Sequence, residues 1–264
     1  MKLIILICVL FGKFAFAESN PKEIIKKNIE VSLLKSLYAE KVILTGETKS
    51  GSKKTKEYSM WRKRIGSTLY SKTMSRFHKP AKIAGQGVLM IESGNSNAGN
   101  DIRIYLPAFK RVRRIERSMQ SGSFMGTAFS YSDLSVQELN DYKYSYEKLS
   151  VCPVHKNKKC HVIVSKPVSK EVRERRGYAY TKTWIQSDSY ITDKLEGYNG
   201  KDKKVKVIDF LNTTEVKKNR WLATKIKAQD LKSNRWALYE IKEYKTDTPI
   251  DESIFSENNL KNPL

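Results

Sequence analysis

The sequence predicts a mainly β protein, built as one large antiparallel sheet or barrel with few helices. Apolar and polar residues alternate along about a dozen segments from Leu37 onward, which is typical of strands with one dry face. Short polar stretches such as 199–203 (NGKDK) and 230–234 (DLKSN) separate these segments at hairpin spacing. No linker rich in Pro and Gly divides the chain, so we expect one domain over 18–264.

Residues 1–17, MKLIILICVLFGKFAFA, have the pattern of a secretory signal peptide. Lys2 gives a basic start, an apolar run follows, and Ala15 and Ala17 have the small-x-small spacing that a signal peptidase cuts. The apolar run is too short to be a stable membrane anchor. The sequence therefore predicts export, with cleavage after Ala17.

One amphipathic helix is predicted at the start of the mature chain. Residues 19–30, SNPKEIIKKNIE, offer Ser19 or Asn20 as N-cap and Pro21 at the first helical position. Three isoleucines can share one face, so the helix is expected to cover an apolar surface.

Strands account for most of the remaining chain, with one short helical candidate at 132–139. In the first half, strands are predicted at 37–46, 55–64, 68–77, 85–93 and 101–109. In the second half, strands are predicted at 141–151, 160–167, 178–186, 189–199, 204–212, 220–229 and 235–245, with 213–219 (TTEVKKN) as a polar connector.

The chain is strongly basic, with a formal net charge of +22. In 204–210 (KVKVIDF) and 235–244 (RWALYEIKEY), charged residues alternate with apolar ones, so most lysines are expected on a solvated outer face. The run 109–117, FKRVRRIER, is denser. It could meet lipid headgroups, an acidic partner or nucleic acid, because the arginine fork suits phosphate and carboxylate groups. Nucleic acid is disfavoured, since no nucleic-acid-binding module is present. The basic residues of this run are Lys110, Arg111, Arg113, Arg114 and Arg117.

Two cysteines of the mature chain, Cys152 and Cys160, bound a short polar loop. An exported chain favours a disulfide between them. His155 and His161 lie in or beside this loop, so a Cys/His metal site is the alternative, although the spacing fits no common zinc pattern. The disulfide is the favoured interpretation, and no metal or cofactor is predicted.

The sequence carries no recognisable catalytic motif. His78 is more typical of a structural polar residue than of a base. Asp101, Asp133 and Asp141 are scattered carboxylates of the kind found in turns. An enzyme with an unrecognised carboxylate pair is a minor alternative, and the favoured class is a protein that is not an enzyme.

The stretch 102–135 resembles the central block of the outer-membrane lipoprotein-sorting protein family, relatives of the periplasmic carriers LolA and LolB. The shared features are a strand ending in Tyr-Leu-Pro, a basic segment ending in Arg-Arg-Ile, a Gly-Ser-Phe-Met-Gly turn, two aromatics and an Asp-Leu pair. Here these are Tyr105 to Pro107, Arg113 to Ile115, Gly122 to Gly126, Phe129, Tyr131, and Asp133 with Leu134.

The resemblance extends more weakly to 80–92 and 251–260. Residues 60–64, MWRKR, are similar to a Trp-x-Lys-Arg strand whose arginine latches a lid in the classical carrier. Arg64 is the matching position, and the resemblance therefore implies a lid latch there.

What the resemblance implies is a LolA/LolB-like incomplete, half-open antiparallel β-barrel, capped by short helices and located in the periplasm. Its apolar cavity would shelter acyl chains of a lipoprotein or lipid during transfer between membranes. The alternative is an accessory or sensor module that binds an inner-membrane lipid exporter or regulator and carries no cargo. An anionic membrane surface is a further expected partner of the basic run. The expected cavity residues are Trp61, Leu89, Met90, Tyr105, Leu106, Phe124, Met125, Phe129 and Tyr131.

The segment 121–135 is open to two interpretations. Its aromatic residues can close one end of the barrel as ordinary core, since aromatics are usually buried. They can also form a mobile lip of the cavity, with Met125 adaptable to a flexible chain. The two interpretations are compatible.

Overall fold

A computed structural model describes residues 20–47, 51–94 and 99–262, and the predicted signal peptide lies outside these ranges. All thirteen strands of the described residues belong to one antiparallel sheet that does not close. The predicted half-open β fold is confirmed. The strands are β1 (Ser36–Glu47), β2 (Lys53–Arg64), β3 (Ser71–Lys79), β4 (Gly87–Ile91), β5 (Asp101–Leu106), β6 (Arg111–Arg114), β7 (Tyr142–Val151), β8 (Lys159–Pro167), β9 (Tyr180–Gln186), β10 (Thr192–Tyr198), β11 (Lys204–Lys217), β12 (Arg220–Asp230) and β13 (Arg235–Thr246).

The sheet consists of two hairpin meanders joined at one seam. Its order is β6-β5-β4-β3-β2-β1-β13-β12-β11-β10-β9-β8-β7, so the first and last strands of the chain pair with each other. The two edges are β6 and β7, which are consecutive in sequence. The connection between them, residues 115–141, must therefore run from one edge of the sheet to the other. We call it the covering segment.

Helix α1 (Pro21–Val31) confirms the predicted N-terminal helix. Its N-cap is Asn20, whose side-chain oxygen accepts a hydrogen bond from the Lys22 N–H at 3.0 Å. The helix packs Ile24 and Ile25 against isoleucines of β8 and β9. The expectation that it covers an apolar surface is therefore met.

Two further helices were not predicted. Helix α2 (Lys170–Arg176) begins after Ser169, whose hydroxyl accepts from the Val172 N–H at 3.3 Å, and ends at Gly177 with φ of 81°. Helix α3 (Glu257–Lys261) is a single turn or so near the C-terminus. No helix in the described part of the chain has the length and apolar character needed to cross a membrane.

Strand β6, in the basic run, was not predicted; its backbone pairs with β5. Two local predictions need correction. The connector predicted at 213–219 is mostly strand, since β11 continues to Lys217. The helix expected at 132–139 is reduced to isolated 3₁₀ turns, with an extended backbone at Ser135 between them.

The sheet has an inner and an outer face, each with its own apolar cluster. The inner cluster joins residues of β1 to β5 and β11 to β13 to aromatics of the covering segment. On the outer face, Met74 and Leu89 pack against the C-terminal segment through Ile250, Phe255 and Leu260. The C-terminal segment is therefore part of the folded core and not a free tail.

Arg76 ties this C-terminal segment to the sheet. The guanidinium is buried and donates to the carbonyls of Leu260 (2.9 Å), Asn259 (2.6 Å) and Gly85 (3.1 Å). We expect Arg76→Ala to lower the free energy of unfolding by about 2–4 kcal/mol, because three buried carbonyls lose their donor. Denaturant unfolding measures this loss. Exposed Lys201→Ala is the control, and an equal effect of both changes would contradict the assigned role.

Candidate functional site

A cavity of about 320 Å³ lies between the inner face of the sheet and the covering segment. Met90 on β4 and Leu195 on β10 line the same space, so the sheet curls around it. The volume is within the range of sites that hold small amphiphilic ligands. The apolar side chains of the wall include Leu37, Tyr58, Met60, Val88, Met90, Phe124, Phe129, Leu195, Ile208, Phe210, Leu222, Ile226, Tyr239 and Ile241.

The covering segment contains a tight turn at its aromatic part. The Phe124 N–H donates to the Phe129 carbonyl at 2.7 Å, and Ser123 pairs with Ser130 as an antiparallel bridge. Between them, Met125 and Gly126 have φ of 49° and 76°. Gly126 suits this left-handed conformation because it has no side chain, and the turn directs Phe124 and Phe129 towards the cavity.

Asp133 anchors the covering segment to the sheet. Its carboxylate accepts from the Ser130 N–H (2.8 Å) and the Tyr178 hydroxyl (2.7 Å), and it forms an ion pair with Lys206 on β11 (3.2 Å). The Lys206 ammonium also donates to the Ala128 carbonyl. Burial and the neighbouring Asp133 carboxylate raise the pKa of Tyr178 well above its usual value, so its hydroxyl stays protonated as a donor.

Lys206 corrects the expectation that lysines of 204–210 face solvent. Its side chain is buried and lies on the inner face with Ile208 and Phe210, two and four residues further on. A lysine on the apolar face of an alternating strand was the sequence signal that could have identified Lys206 as buried. Its partner Asp133 could not be identified in the same way, because it is distant in the chain.

A second anchor holds the covering segment nearer to β7. The buried Glu92 carboxylate accepts from the Ser71 N–H and hydroxyl, both at 2.9 Å, and from the Val136 N–H at 2.6 Å. This bond to Val136 accounts for the extended backbone where a helix was expected. The carboxylates of Glu92, just after β4, and of Asp133, within the covering segment, therefore both hold this segment on the sheet.

Two tyrosines of the inner wall meet at the centre of the sheet. Tyr58 on β2 and Tyr239 on β13 are hydrogen-bonded to each other, and burial raises the pKa of Tyr239 to about 12. Both phenols therefore remain neutral at physiological pH. The two phenols offer a ligand aromatic surface and add no charge to the wall.

The nine expected cavity residues fall into three groups. Met90, Phe124 and Phe129 line the cavity. Leu106, Met125 and Tyr131 pack in or against the inner cluster, with Tyr131 edge-on to Phe124 at a ring distance of 5.4 Å. The other three, Trp61, Leu89 and Tyr105, lie in the outer cluster on the opposite face of the sheet.

The placement of Trp61, Leu89 and Tyr105 follows from strand register. Side chains alternate between faces, and Leu89 lies between the inward-facing Val88 and Met90 in sequence, as its packing against Leu260 confirms. The sequence-based prediction named both of two neighbouring residues, as with Leu89 and Met90, although only one of them can face the cavity. The residues that it missed lie on β1, β2, β4 and β10 to β13, whose apolar alternation resembles ordinary core.

Arg64 does not occupy a latch position. Its guanidinium donates to the carbonyls of Thr68 (2.6 Å) and Ser67 (2.8 Å), within the turn between β2 and β3. Basic side chains that do contact the covering segment include Lys206, through Asp133, and Arg175, through Asp141. Arg62, two residues earlier, lines the cavity and donates to the Ser71 hydroxyl at 2.9 Å.

The basic residues of the run all lie exposed at or beside the sheet edge formed by β6. Arg114 forms an ion pair with Asp101 at 3.2 Å, and Arg111 lies over the ring of Phe109, which is 67% exposed. The group Lys110, Arg111, Arg113, Arg114 and Arg117 is called the basic edge below.

Cys152 and Cys160 form a disulfide, with Cα atoms 5.1 Å apart. His155 bonds through Nδ1 to the buried Asp193 carboxylate at 2.7 Å, and Asp193 also accepts from the backbone N–H groups of Val154 and His155. His161 lies on the other side of the strand, beside Tyr146, and burial lowers its pKa. The bonded sulfurs are not available as thiolate ligands, which argues against the Cys/His metal alternative.

His78 hydrogen-bonds to the Ser59 hydroxyl at 2.8 Å. The carboxylates Asp101, Asp133 and Asp141 are each engaged by a basic side chain: Asp101 by Arg103, Asp133 by Lys206 and Asp141 by Arg175. Each of the three aspartates has a separate basic partner. The Asp133 and Asp141 pairs join the covering segment to other elements, and the Asp101 pair lies within β5.

The comparisons with known proteins agree with this architecture. A family model described as "Uncharacterized protein" matches residues 70–262. No curated protein matches the sequence.

Several solved structures share the fold. A domain described as an outer membrane lipoprotein-sorting protein from Vibrio parahaemolyticus has a TM-score of 0.82 and 22% identity, covering 91% of this chain and 98% of that one. A DUF1329 family protein from Desulfovibrio piger has a TM-score of 0.82 and 19% identity, covering 91% and 97%. The LolA superfamily protein NE2245 from Nitrosomonas europaea has a TM-score of 0.67 and 16% identity, covering 90% and 98%.

These similarities confirm the resemblance found in 102–135 and show the fold. The chain therefore belongs to the family whose model matches residues 70–262, and it has the LolA-like fold of the lipoprotein-sorting structures.

Proposed function

We propose that this protein is a periplasmic carrier or binding protein that shelters an acyl chain of a lipoprotein or lipid. The observation that carries the proposal is the covered apolar cavity, whose walls come from both meanders of the sheet. Each buried methylene of an acyl chain contributes about 0.8 kcal/mol of transfer free energy, so such a cavity favours long chains. The lipoprotein-sorting description of a structural neighbour supports the same class of cargo.

The cover is well suited to controlled opening. The covering segment is held by the polar contacts of Asp133, Lys206 and Glu92, while its aromatics pack on the cavity. Movement of this segment alone would expose the cavity without breaking a strand pair of the sheet. We expect cargo to enter and leave beneath it.

The test is native mass spectrometry of protein purified from the periplasm, followed by extraction and lipid analysis. A carrier is expected to retain a lipid or acylated peptide and to release it to acceptor vesicles. Protein that is consistently empty and takes up no added amphiphile would refute the carrier and favour the accessory or sensor module.

The basic edge provides a surface for anionic membranes. Each Lys or Arg near an anionic surface contributes about 1 kcal/mol. We expect Arg111→Ala with Arg113→Ala to weaken binding to phosphatidylglycerol vesicles by about 30-fold, as two such contributions imply. Vesicle sedimentation at low salt measures the effect.

The matched control is Lys201→Ala with Lys203→Ala, which removes two lysines from the turn before β11. This variant is expected to bind as the unchanged protein does, apart from the small effect of net charge. Equal weakening by both double variants would mean that net charge, and not the basic edge, drives the attraction.

A further inference from the structure

Two hydroxyl groups on the wall of the cavity have no hydrogen-bond partner among the described residues. Ser165 on β8 and Thr181 on β9 lie directly opposite each other in the sheet, and both line the cavity. Their exposed fractions are 0% and 7%. Within residues 20–47, 51–94 and 99–262, neither hydroxyl oxygen has a hydrogen-bond partner. Unsatisfied buried hydroxyls are rare and costly, so these two call for an explanation.

The neighbouring polar groups on the same row are already engaged. Tyr144 lies opposite Ser165 on β7, and its hydroxyl accepts from the Gln137 amide at 3.3 Å. Gly197 lies opposite Thr181 on β10 and is covered by the ring of Tyr178, whose hydroxyl donates to Asp133. Both residues line the cavity, so a group bound there is the partner that the surrounding strands do not supply.

Basic and acidic side chains meet at this end of the cavity. Lys206 pairs with Asp133, and Arg175 pairs with Asp141. Arg176, which lines the cavity, hydrogen-bonds to the Tyr142 hydroxyl. Burial lowers the pKa of its guanidinium, but nearby phenols and carboxylates outweigh burial, so the net shift is upward. A neutral acceptor can bind the two hydroxyls without adding a buried charge that needs its own counter-ion.

A carbonyl oxygen fits these requirements. It has two lone pairs, so it can accept from both hydroxyls at once, and it carries no net charge. The remainder of the wall is apolar, with Ile226, Tyr239 and Ile241 among its residues. A ligand with one carbonyl at the end of a long chain would satisfy both parts of the cavity.

We propose that Ser165 and Thr181 form a subsite for the carbonyl oxygen of an ester-linked or amide-linked acyl chain. This subsite rests on the proposed acyl-binding function and specifies its cargo: acyl chains are preferred over alkyl chains of equal length. An alkyl ether would cover the same apolar wall but leave both hydroxyls buried without an acceptor.

The test compares two ligands that differ only in this carbonyl, 1-palmitoyl and 1-O-hexadecyl lysophosphatidylcholine, used below their micellar concentrations. Displacement of a fluorescent fatty acid probe gives both affinities. One hydrogen-bonded carbonyl is expected to make the acyl ligand bind about five- to tenfold more tightly to the unchanged protein. In the double variant Ser165→Ala with Thr181→Val, the acyl and ether ligands should bind with about equal affinity, and the affinity for the ether ligand should be unchanged.

The matched control is Ser75→Ala, which removes a hydroxyl lining the cavity from β3, in the other meander of the sheet. It should retain the full preference. Equal affinities for acyl and ether ligands in the unchanged protein would overturn the subsite and leave the carrier proposal intact, with the hydroxyls bound to water only. A preference that persists in the double variant would also overturn it. Failure to bind either ligand would refute the carrier itself.

Discussion

Replacing Asp133 with Asn is expected to lower the free energy of unfolding by about 3–5 kcal/mol, because buried Lys206 would then lose the carboxylate that pairs with it directly. Both side chains are almost completely buried, and the same carboxylate also accepts from Tyr178 and from the Ser130 backbone. The amide keeps the shape of the carboxylate but not its charge. Chemical denaturation monitored by tryptophan fluorescence measures the loss.

The double variant Asp133→Asn with Lys206→Met tests whether the loss of stability comes from the unpaired charge of Lys206. Methionine fills much of the volume of the lysine stem without a charge, so the double variant is expected to recover a large part of the lost stability. Hydrogen exchange should show faster opening of 121–135 in Asp133→Asn than in the double variant. A cost below about 1 kcal/mol for the single change would contradict the anchoring role.

Replacing Leu222 with Trp is expected to reduce affinity for an acyl ligand by at least about tenfold, because the larger ring occupies space that the chain needs. Leu222 lies on β12, is half-buried and lines the cavity. Such a site tolerates a larger side chain better than the fully buried core does. Displacement of a fluorescent fatty acid probe measures the affinity, and thermal unfolding checks that the fold is intact.

Lys225→Trp is the matched control on the same strand. Lys225 lies partly exposed beside Glu240 and is not part of the cavity wall. It introduces the same ring without filling the cavity, so affinity is expected to stay within about twofold of the unchanged protein. If Leu222→Trp also binds the probe normally, the acyl chain does not occupy this cavity and the site must be sought elsewhere.

The antiparallel class and the N-terminal helix could be predicted because they depend on local periodicity and capping. The alternation from Leu37 onward identified most strands, and Asn20 followed by Pro21 identified the helix start. Helix α2 was missed because its seven residues, Lys170–Arg176, carry mostly charged side chains and little periodic pattern. Its Ser169 cap and Gly177 stop were the only available signals.

The cavity was predicted only in part. Phe124 and Phe129 were found because they lie in the aromatic segment that resembles the lipoprotein-sorting family. Leu89 and Tyr105 were misplaced because a one-residue change of register exchanges the faces of a strand. Which face is outer is decided by the C-terminal segment, whose residues Ile250 and Leu260 are far away in the chain.

By itself, the sequence determined the alternating strands, the capped first helix, the pairing of two cysteines and the motif of 102–135, since each depends on residues close together in the chain. Only the tertiary structure decided that Lys206 faces inward to Asp133 and that Arg64 closes a turn. It also decided that the hydroxyls of Ser165 and Thr181 lie on neighbouring strands without a hydrogen-bond partner among the described residues. The physical reason is that burial and hydrogen bonding depend on partners brought together across the sheet. Strand pairing brings those partners together, and the alternation of apolar and polar residues does not determine which strands pair.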